Sequence, residues 1–209
     1  MPIRTKICGI TTPEALDAAV AGEASHVGFN FFPKSPRFVT PDAAAALVRR
    51  LPAHVTPVAL VVNEEYARID AIRAQSGIGI IQLHGDESPE FAASLNGDVW
   101  KALPIKTRAD LSAAARYAGA VSHILYDAKA PKGADLPGGN GMRFDWSLLE
   151  GFVHPLPWIL AGGLDAANVP EAIRQTGASF VDVSSGVEDA PGVKSVDKIA
   201  AFLKAAREI

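Results

Sequence analysis

The chain of 209 residues contains one cysteine, Cys8, and so cannot close an internal disulfide; that usage fits a reducing compartment. No apolar run approaches the ~20 residues that span a bilayer. The opening segment Met1-Pro2-Ile3-Arg4-Thr5-Lys6 lacks the apolar stretch of a secretory signal. The expectation is therefore a cytoplasmic protein with no membrane partner. Metal chemistry finds little footing. None of the five histidines (His26, His54, His84, His123, His154) pairs with another histidine or with cysteine at a ligand spacing, and there is no Cys-x-x-Cys. No Gly-x-Gly-x-x-Gly turn follows the first apolar run, which argues against a dinucleotide site. A net charge of −3 leaves no basic footprint for nucleic acid. No linker, heptad or low-complexity tract divides the chain, so residues 1–209 are expected to form one domain. With 48% hydrophobic and 21% charged residues, the chain has enough apolar matter for a full core.

What is present is alternation. Short apolar runs at Arg4–Cys8, Val27–Phe31, Pro57–Val62, Ile78–Leu83, Val99–Leu103, His123–Tyr126, Trp158–Ala161 and Phe180–Val183 read as strands covered on both faces. Amphipathic stretches lie between them, clearest at Ala43–Arg50, Glu64–Ser76, Arg108–Tyr117 and Val196–Glu208, with Phe144–Glu150 the shortest. In Glu64–Ser76, Tyr66, Ile69 and Ile72 fall on one face at helical spacing. Thr12-Pro13-Glu14, Thr40-Pro41-Asp42 and Ser88-Pro89-Glu90 each supply an N-cap hydroxyl, a proline for the first helical position and an acid for the helix dipole. Thr107 and Ser195 are further cap candidates. Eight strands alternating with helices predict an α/β fold, a single (β/α)8 barrel, over an open doubly wound sheet.

The C-terminal ends of those strands carry Cys8, Asn30, Asn63, Gln82 with His84, Lys101, Asp127, Gly162-Gly163 and Ser184-Ser185-Gly186. Apolar strands that end repeatedly in polar residues imply a polar mouth on the face where barrel enzymes keep their active sites. The last two turns, Leu160-Ala161-Gly162-Gly163-Leu164 and Val183-Ser184-Ser185-Gly186-Val187, leave backbone N–H groups uncovered. They follow strands seven and eight, where barrels often hold phosphate.

Two readings of Cys8 stand at this point. A lone thiol can be inert packing. It can also be a proton acceptor. A free thiol titrates near ~8.5, so a few per cent is thiolate at neutral pH, and Lys6, Lys101 or a helix N-terminus could lower that value. Asp127 is its natural partner as a general acid, unless it caps a loop or pairs with Lys129 or Lys101. Arg37, in Pro33-Lys34-Ser35-Pro36-Arg37, has a fork suited to a carboxylate. Asp182 interrupts an apolar strand and needs partners; orienting the site and tying strands together are equal readings. An aldolase would call on Lys101 as its reactive lysine, and a ligand-binding barrel without catalysis would need neither Cys8 nor Asp127.

Taken together, Lys6-Ile7-Cys8-Gly9-Ile10-Thr11, Gly28-Phe29-Asn30-Phe31 with Ser35-Pro36-Arg37, Ile81-Gln82-Leu83-His84-Gly85, Leu125-Tyr126-Asp127-Ala128, Gly138-Gly139-Asn140-Gly141, Leu160-Ala161-Gly162-Gly163-Leu164, Asp182-Val183-Ser184-Ser185-Gly186-Val187-Glu188 and Pro191-Gly192-Val193-Lys194 resemble the phosphoribosylanthranilate isomerase family along the whole chain. The resemblance implies a TIM barrel of the ribulose-phosphate-binding type. It implies an Amadori rearrangement in tryptophan biosynthesis, with a small phosphosugar as substrate and no cofactor. It implies Cys8 as general base and Asp127 as general acid. Arg37, Gln82, His84, Asp182, Gly139 and Gly141 would contact substrate, and Gly162, Gly163, Ser184, Ser185 and Gly186 would hold the phosphate. The loop around Gly138–Gly141 would cover the site. Ser195 stands where the family often has an acid, and Asn30 where it more often has an apolar or small residue; Asn30 lies close enough to the mouth to touch substrate. A monomer is expected rather than a homodimer.

Overall fold

The structure is a computed structural model that describes residues 2–130, 138–139 and 141–209. Eight parallel strands close into a barrel in sequence order: β1 (Arg4–Cys8), β2 (His26–Asn30), β3 (Thr56–Val61), β4 (Ile80–Leu83), β5 (Val99–Ile105), β6 (His123–Ala128), β7 (Trp158–Leu160) and β8 (Phe180–Val183). Closure comes from β1 pairing with β8, where Lys6 stands beside Asp182. Among the described residues six α-helices surround it: α1 (Pro13–Ala21), α2 (Pro41–Val48), α3 (Tyr66–Ser76), α4 (Pro89–Ser94), α5 (Val169–Thr176) and α6 (Val196–Arg207). A short antiparallel pair, β9 (Glu188–Ala190) with β10 (Val193–Lys194), follows β8. Among the described residues no helix is long and apolar enough to cross a membrane.

Local chemistry explains the helix starts. Thr12, Thr40 and Ser88 each accept a hydrogen bond from the backbone N–H three residues on, at 3.3, 3.2 and 3.2 Å. Proline opens each of these helices, where its missing N–H costs nothing. Ser195 precedes α6, but its side chain makes no cap bond. The segment Arg108–Tyr117 is a 3-10 helix rather than an α-helix. Its buried residues, Leu111, Ala114 and Tyr117, recur every three positions and align on one face only at three residues per turn. Trp146–Leu149 is one further 3-10 turn. Ile69 and Ile72 of α3 are fully buried as expected, but Tyr66 is 37% exposed. It opens the helix, and its hydroxyl accepts from Asn96 Nδ2 at 2.9 Å.

Two apolar layers hold the barrel. One fills the space between sheet and helices; the other, Val58, Trp100, Ala102, Leu125, Ile159, Ala161 and Phe180, fills the interior. Alternation along each strand decides which residues point inward. At the N-terminal end the interior is sealed by the Trp100, His26, His123 and Phe180 rings, with the Arg4 guanidinium 4.4 Å from the Phe180 centroid. The opposite end is left open and polar.

Candidate active site

An open cavity occupies the C-terminal mouth, about 760 Å³ of empty space counted together with the solvent it opens to. Cys8, Arg37, His84, Asp127, Gly139, Gly141, Gly162, Gly163, Asp182, Ser184 and Ser185 all line it. Strands from around the barrel, or the loops after them, contribute these residues, so closure of the barrel is what brings them together.

Cys8 ends β1 with its thiol against Gly28 of β2: a Cβ at Gly28 would stand 2.9 Å from Sγ and 3.0 Å from Lys6 Cε. The missing side chain makes room for both. Burial pushes the Cys8 thiol up from its ordinary value, opposed by the positive charges of Lys6 and Lys194. Lys6 is fully buried and donates to Asp182 Oδ1 at 2.9 Å. Burial pulls the Lys6 ammonium down, but Asp182 and the neighbouring Cys8 outweigh it, and the net direction is upward. Asp182 thus ties β8 to β1 and also lines the cavity. Lys101 has no part in this field. On β5, Trp100 and Ala102 face inward, and Lys101 between them pairs with Glu87 at 2.8 Å and donates to the Gly85 carbonyl. It does not line the cavity, which removes the aldolase reading that depended on it.

Asp127, near the end of β6, faces neither Lys101 nor Lys129. Its Oδ1 accepts from the Ala128 N–H at 2.8 Å, and its Oδ2 lies 3.2 Å from His84 Nε2. His84 Nδ1 in turn lies 3.1 Å from Gln82 Nε2. Gln82 itself is fully buried and does not line the cavity. His84 follows the last residue of β4, two positions beyond Gln82 on the same side of the chain, and the imidazole stands between the amide and the mouth. The polar partner of Gln82 in this structure is the imidazole.

Arg37 is buried, and its fork already grips a carboxylate: Nε and Nη2 donate to the two oxygens of Glu188 at 2.7 and 2.8 Å. Lys194 donates to the same Glu188 at 2.7 Å. Burial works to raise the Glu188 carboxyl, but Arg37 and Lys194 outweigh it and hold it below its usual range. Asn30 lines the cavity, yet its amide is used locally. Its oxygen accepts from the Phe32 N–H at 2.8 Å and its nitrogen donates to Ser35 Oγ at 3.1 Å. Ser35 Oγ accepts from the Arg37 N–H at 3.2 Å, so Asn30 builds the loop that carries the arginine.

The glycine turns are open as expected. Gly162 and Gly163 both have positive φ, +85° and +64°. A Cβ on Gly162 would strike the Ala128 nitrogen and Asp127 Oδ1 at 2.6 and 2.9 Å. Asn168 holds this turn by donating to the Gly163 carbonyl at 2.9 Å. Ser184 lines the cavity, but its hydroxyl donates to the Cys8 carbonyl at 3.2 Å and receives Lys194 Nζ at 3.3 Å. Gly186 sits against the Leu164 backbone, where a Cβ would collide with the Leu164 carbonyl. In the glycine-rich loop, 131–137 and Asn140 lie outside the described residues; Gly138, Gly139 and Gly141 form part of the cavity wall. Glu188, Lys194 and Asn168 are supports that the strand ends do not reveal. Only their place in recurring motifs or beside a glycine turn hints at them.

A (β/α)8 barrel with a thiol and a carboxyl at its mouth, and two uncovered turns after its last strands, defines the class to which this molecule belongs. The sequence profile of the N-(5'-phosphoribosyl)anthranilate (PRA) isomerase family matches residues 5–205. A relative of that name from Paramagnetospirillum magneticum is 51% identical, over 99% of this chain and 98% of its own. One from Zymomonas mobilis subsp. pomaceae is 50% identical over 99% of both. The phosphoribosyl anthranilate isomerase structure from Thermotoga maritima superposes with a TM-score of 0.88 at 36% identity, covering 99% of this chain and 100% of the other. A further solved structure, of the isomerase in complex with reduced 1-(o-carboxyphenylamino)-1-deoxyribulose 5-phosphate, gives 0.85 at 35% identity, covering 99% of this chain and 100% of the other. The chain belongs to the N-(5'-phosphoribosyl)anthranilate isomerase family, enzymes of tryptophan biosynthesis.

Proposed function

We propose that the chain isomerises N-(5'-phosphoribosyl)anthranilate to 1-(2-carboxyphenylamino)-1-deoxyribulose 5-phosphate by general acid–base catalysis, with Asp127 as acid and Cys8 as base. The observation that carries this reading is the placement of thiol and carboxyl on separate strands of one mouth, β1 and β6, both lining the same cavity. Asp127 protonates the furanose ring oxygen and the C1–O bond opens, leaving an iminium at C1. The positive charge acidifies the C2 hydrogen. Cys8 takes that proton as thiolate, and the electron pair forms the C1–C2 enamine. Return of a proton to C1 and loss of the C2 hydroxyl proton give the ketone, so atoms balance with no oxidant or reductant. The iminium also favours a nearby negative charge, which offsets the burial that keeps the resting thiol protonated. Each positioned proton transfer is worth ~10²–10⁴-fold.

The substrate phosphate fits the turns at Gly162–Gly163 and Ser184–Gly186, where backbone N–H groups and the Ser185 hydroxyl are open. The anthranilate carboxylate fits Arg37, whose Nη1 donates to no described residue, with Phe32 and Leu60 beside it as an apolar wall for the ring. His84 and Asp182 flank the ribulose chain, and Gly139 and Gly141 close over it. We infer a cytoplasmic monomer: among the described residues the exposed large apolar side chains are few and lie mostly apart, as at Tyr66 and Val153. Loss of anthranilate-type fluorescence when purified protein meets freshly made phosphoribosylanthranilate tests the activity. Turnover that persists in EDTA is expected, and no turnover contradicts the reading.

A further inference from the structure

Gln82 Oε1 is buried and has no hydrogen-bond partner among the described residues. The other end of the same amide lies 3.1 Å from His84 Nδ1, and the far ring nitrogen lies 3.2 Å from Asp127 Oδ2. Amide, imidazole and carboxyl therefore form one line that runs from behind the cavity wall to the mouth. Gly138 covers its last contact, since a Cβ there would stand 2.5 Å from both Asp127 Oδ2 and His84 Nε2.

A neutral imidazole carries its proton on one nitrogen only, and its partners decide which. A glutamine amide can face Nδ1 with its nitrogen or its oxygen. With nitrogen inward, the carbonyl oxygen and one N–H are stranded. With oxygen inward, both N–H donors are stranded, and buried orphan donors are the rarer and worse defect. The stranded Oε1 is thus the cost of keeping a donor on Nδ1.

We propose that Gln82 is a positioning residue that holds His84 in its Nε2–H form, so that the imidazole always donates to Asp127. This rests on the reading of Asp127 as the acid. When Asp127 gives its proton to the ring oxygen, the new negative charge on Oδ2 meets a hydrogen bond already in place, and no proton moves on His84. Facing this pair across the mouth are Asp182 with Lys6, Cys8 with Lys194, and Arg37 with Glu188. Lys101 is turned away to Glu87. None of these reaches Nδ1, which leaves Gln82 to set the tautomer.

The test uses 15N-histidine-labelled full-length protein without ligand. At neutral pH the wild type is expected to show a His84 ring with Nε2 protonated and Nδ1 bare. Gln82→Glu, an acceptor only when ionised, draws a proton onto Nδ1. Gln82→Leu, the variant kept should the glutamate fail to fold, leaves a mixture of tautomers. In both, kcat falls by about 10²-fold with KM nearly unchanged. A wild-type ring protonated on Nδ1, or a Gln82→Leu ring spectrum and kcat identical to wild type, overturns the proposal. The ring spectrum needs no substrate, so failure of the isomerase reading would show separately, as absent turnover with the spectrum intact.

Discussion

Glu188 holds Arg37 by both sides of its carboxylate, at 2.7 and 2.8 Å, and half of the guanidinium is thereby committed before any ligand arrives. The remaining nitrogen, Nη1, is brought to the cavity wall. Glu188 is held in turn by Lys194 at 2.7 Å and by the Gly192 N–H at 3.2 Å, within the β9–β10 turn. Arg37 is therefore a preorganised fork, and its aim is set by a carboxylate 151 residues away in sequence.

Replacing Glu188 with alanine leaves Arg37 and Lys194 buried without their shared partner. Removing one member of a buried charged pair costs about 3–5 kcal/mol. The expected outcome is a clearly lowered urea midpoint together with a KM raised roughly 10-fold or more, because Arg37 loses its aim. Steady-state kinetics beside urea denaturation check both. An unchanged KM in a folded Glu188→Ala protein would show that Arg37 does not need the clamp.

Gly138→Ala tests the cover over the acid. Both atoms that the new methyl would meet are already fixed, Asp127 through the Ala128 N–H and His84 through Gln82. The glycine backbone must then move away. A fall in kcat of about 10-fold or more is expected, since small misplacements near the chemistry are costly. The melting temperature should change little, because Gly138 is half-buried at the mouth and carries no core packing.

Much of this is legible in the chain. The eight apolar runs are the eight strands, two of them with the same ends and the rest with ends shifted by one or two residues. β2 starts at His26 because that ring belongs to the aromatic floor, and β4 starts at Ile80, after Gly79. Cys8, Asp127, His84 and the glycine turns are readable because strand ends become one mouth when a barrel closes. Glu188 is not, because its importance is tertiary: nothing local distinguishes it from a solvated acid. The position of Gln82 in its strand puts it at the mouth, but a one-dimensional reading does not show that His84 stands in front of it. Asn30 lines the cavity as its place near the mouth suggests but spends its amide on the Arg37 loop, and Tyr66, on the buried face by spacing, is 37% exposed with its hydroxyl on Asn96.

Three half-buried histidines predict an acid-sensitive fold. Burial, reinforced by Lys6, Arg4 and His123, pulls His26 down to about 3. Burial lowers His154 to about 4, and burial with Arg4 lowers His123. Unfolded, each takes up a proton near ~6.5. Their folded values are depressed, so the unfolded state binds more protons as pH falls from about 6.5 toward 3, and stability is lost across that window. The urea midpoint should be lower at about pH 5 than at about pH 7.5, a range in which Glu188, held below its usual value, stays ionised. His26→Phe should flatten that slope; an unaltered slope would place the sensitivity elsewhere.

The central claim is that Cys8 takes a proton from carbon, and turnover of phosphoribosylanthranilate by Cys8→Ala tests it most directly. The thiol is almost fully buried beside Lys6, and its loss to alanine removes one sulfur from a site otherwise held by Asp182 and Gly28. The protein should fold with a melting curve close to wild type, and kcat should fall by at least ~10²-fold, the low end for a positioned base. Wild-type turnover in a folded Cys8→Ala protein would contradict the account.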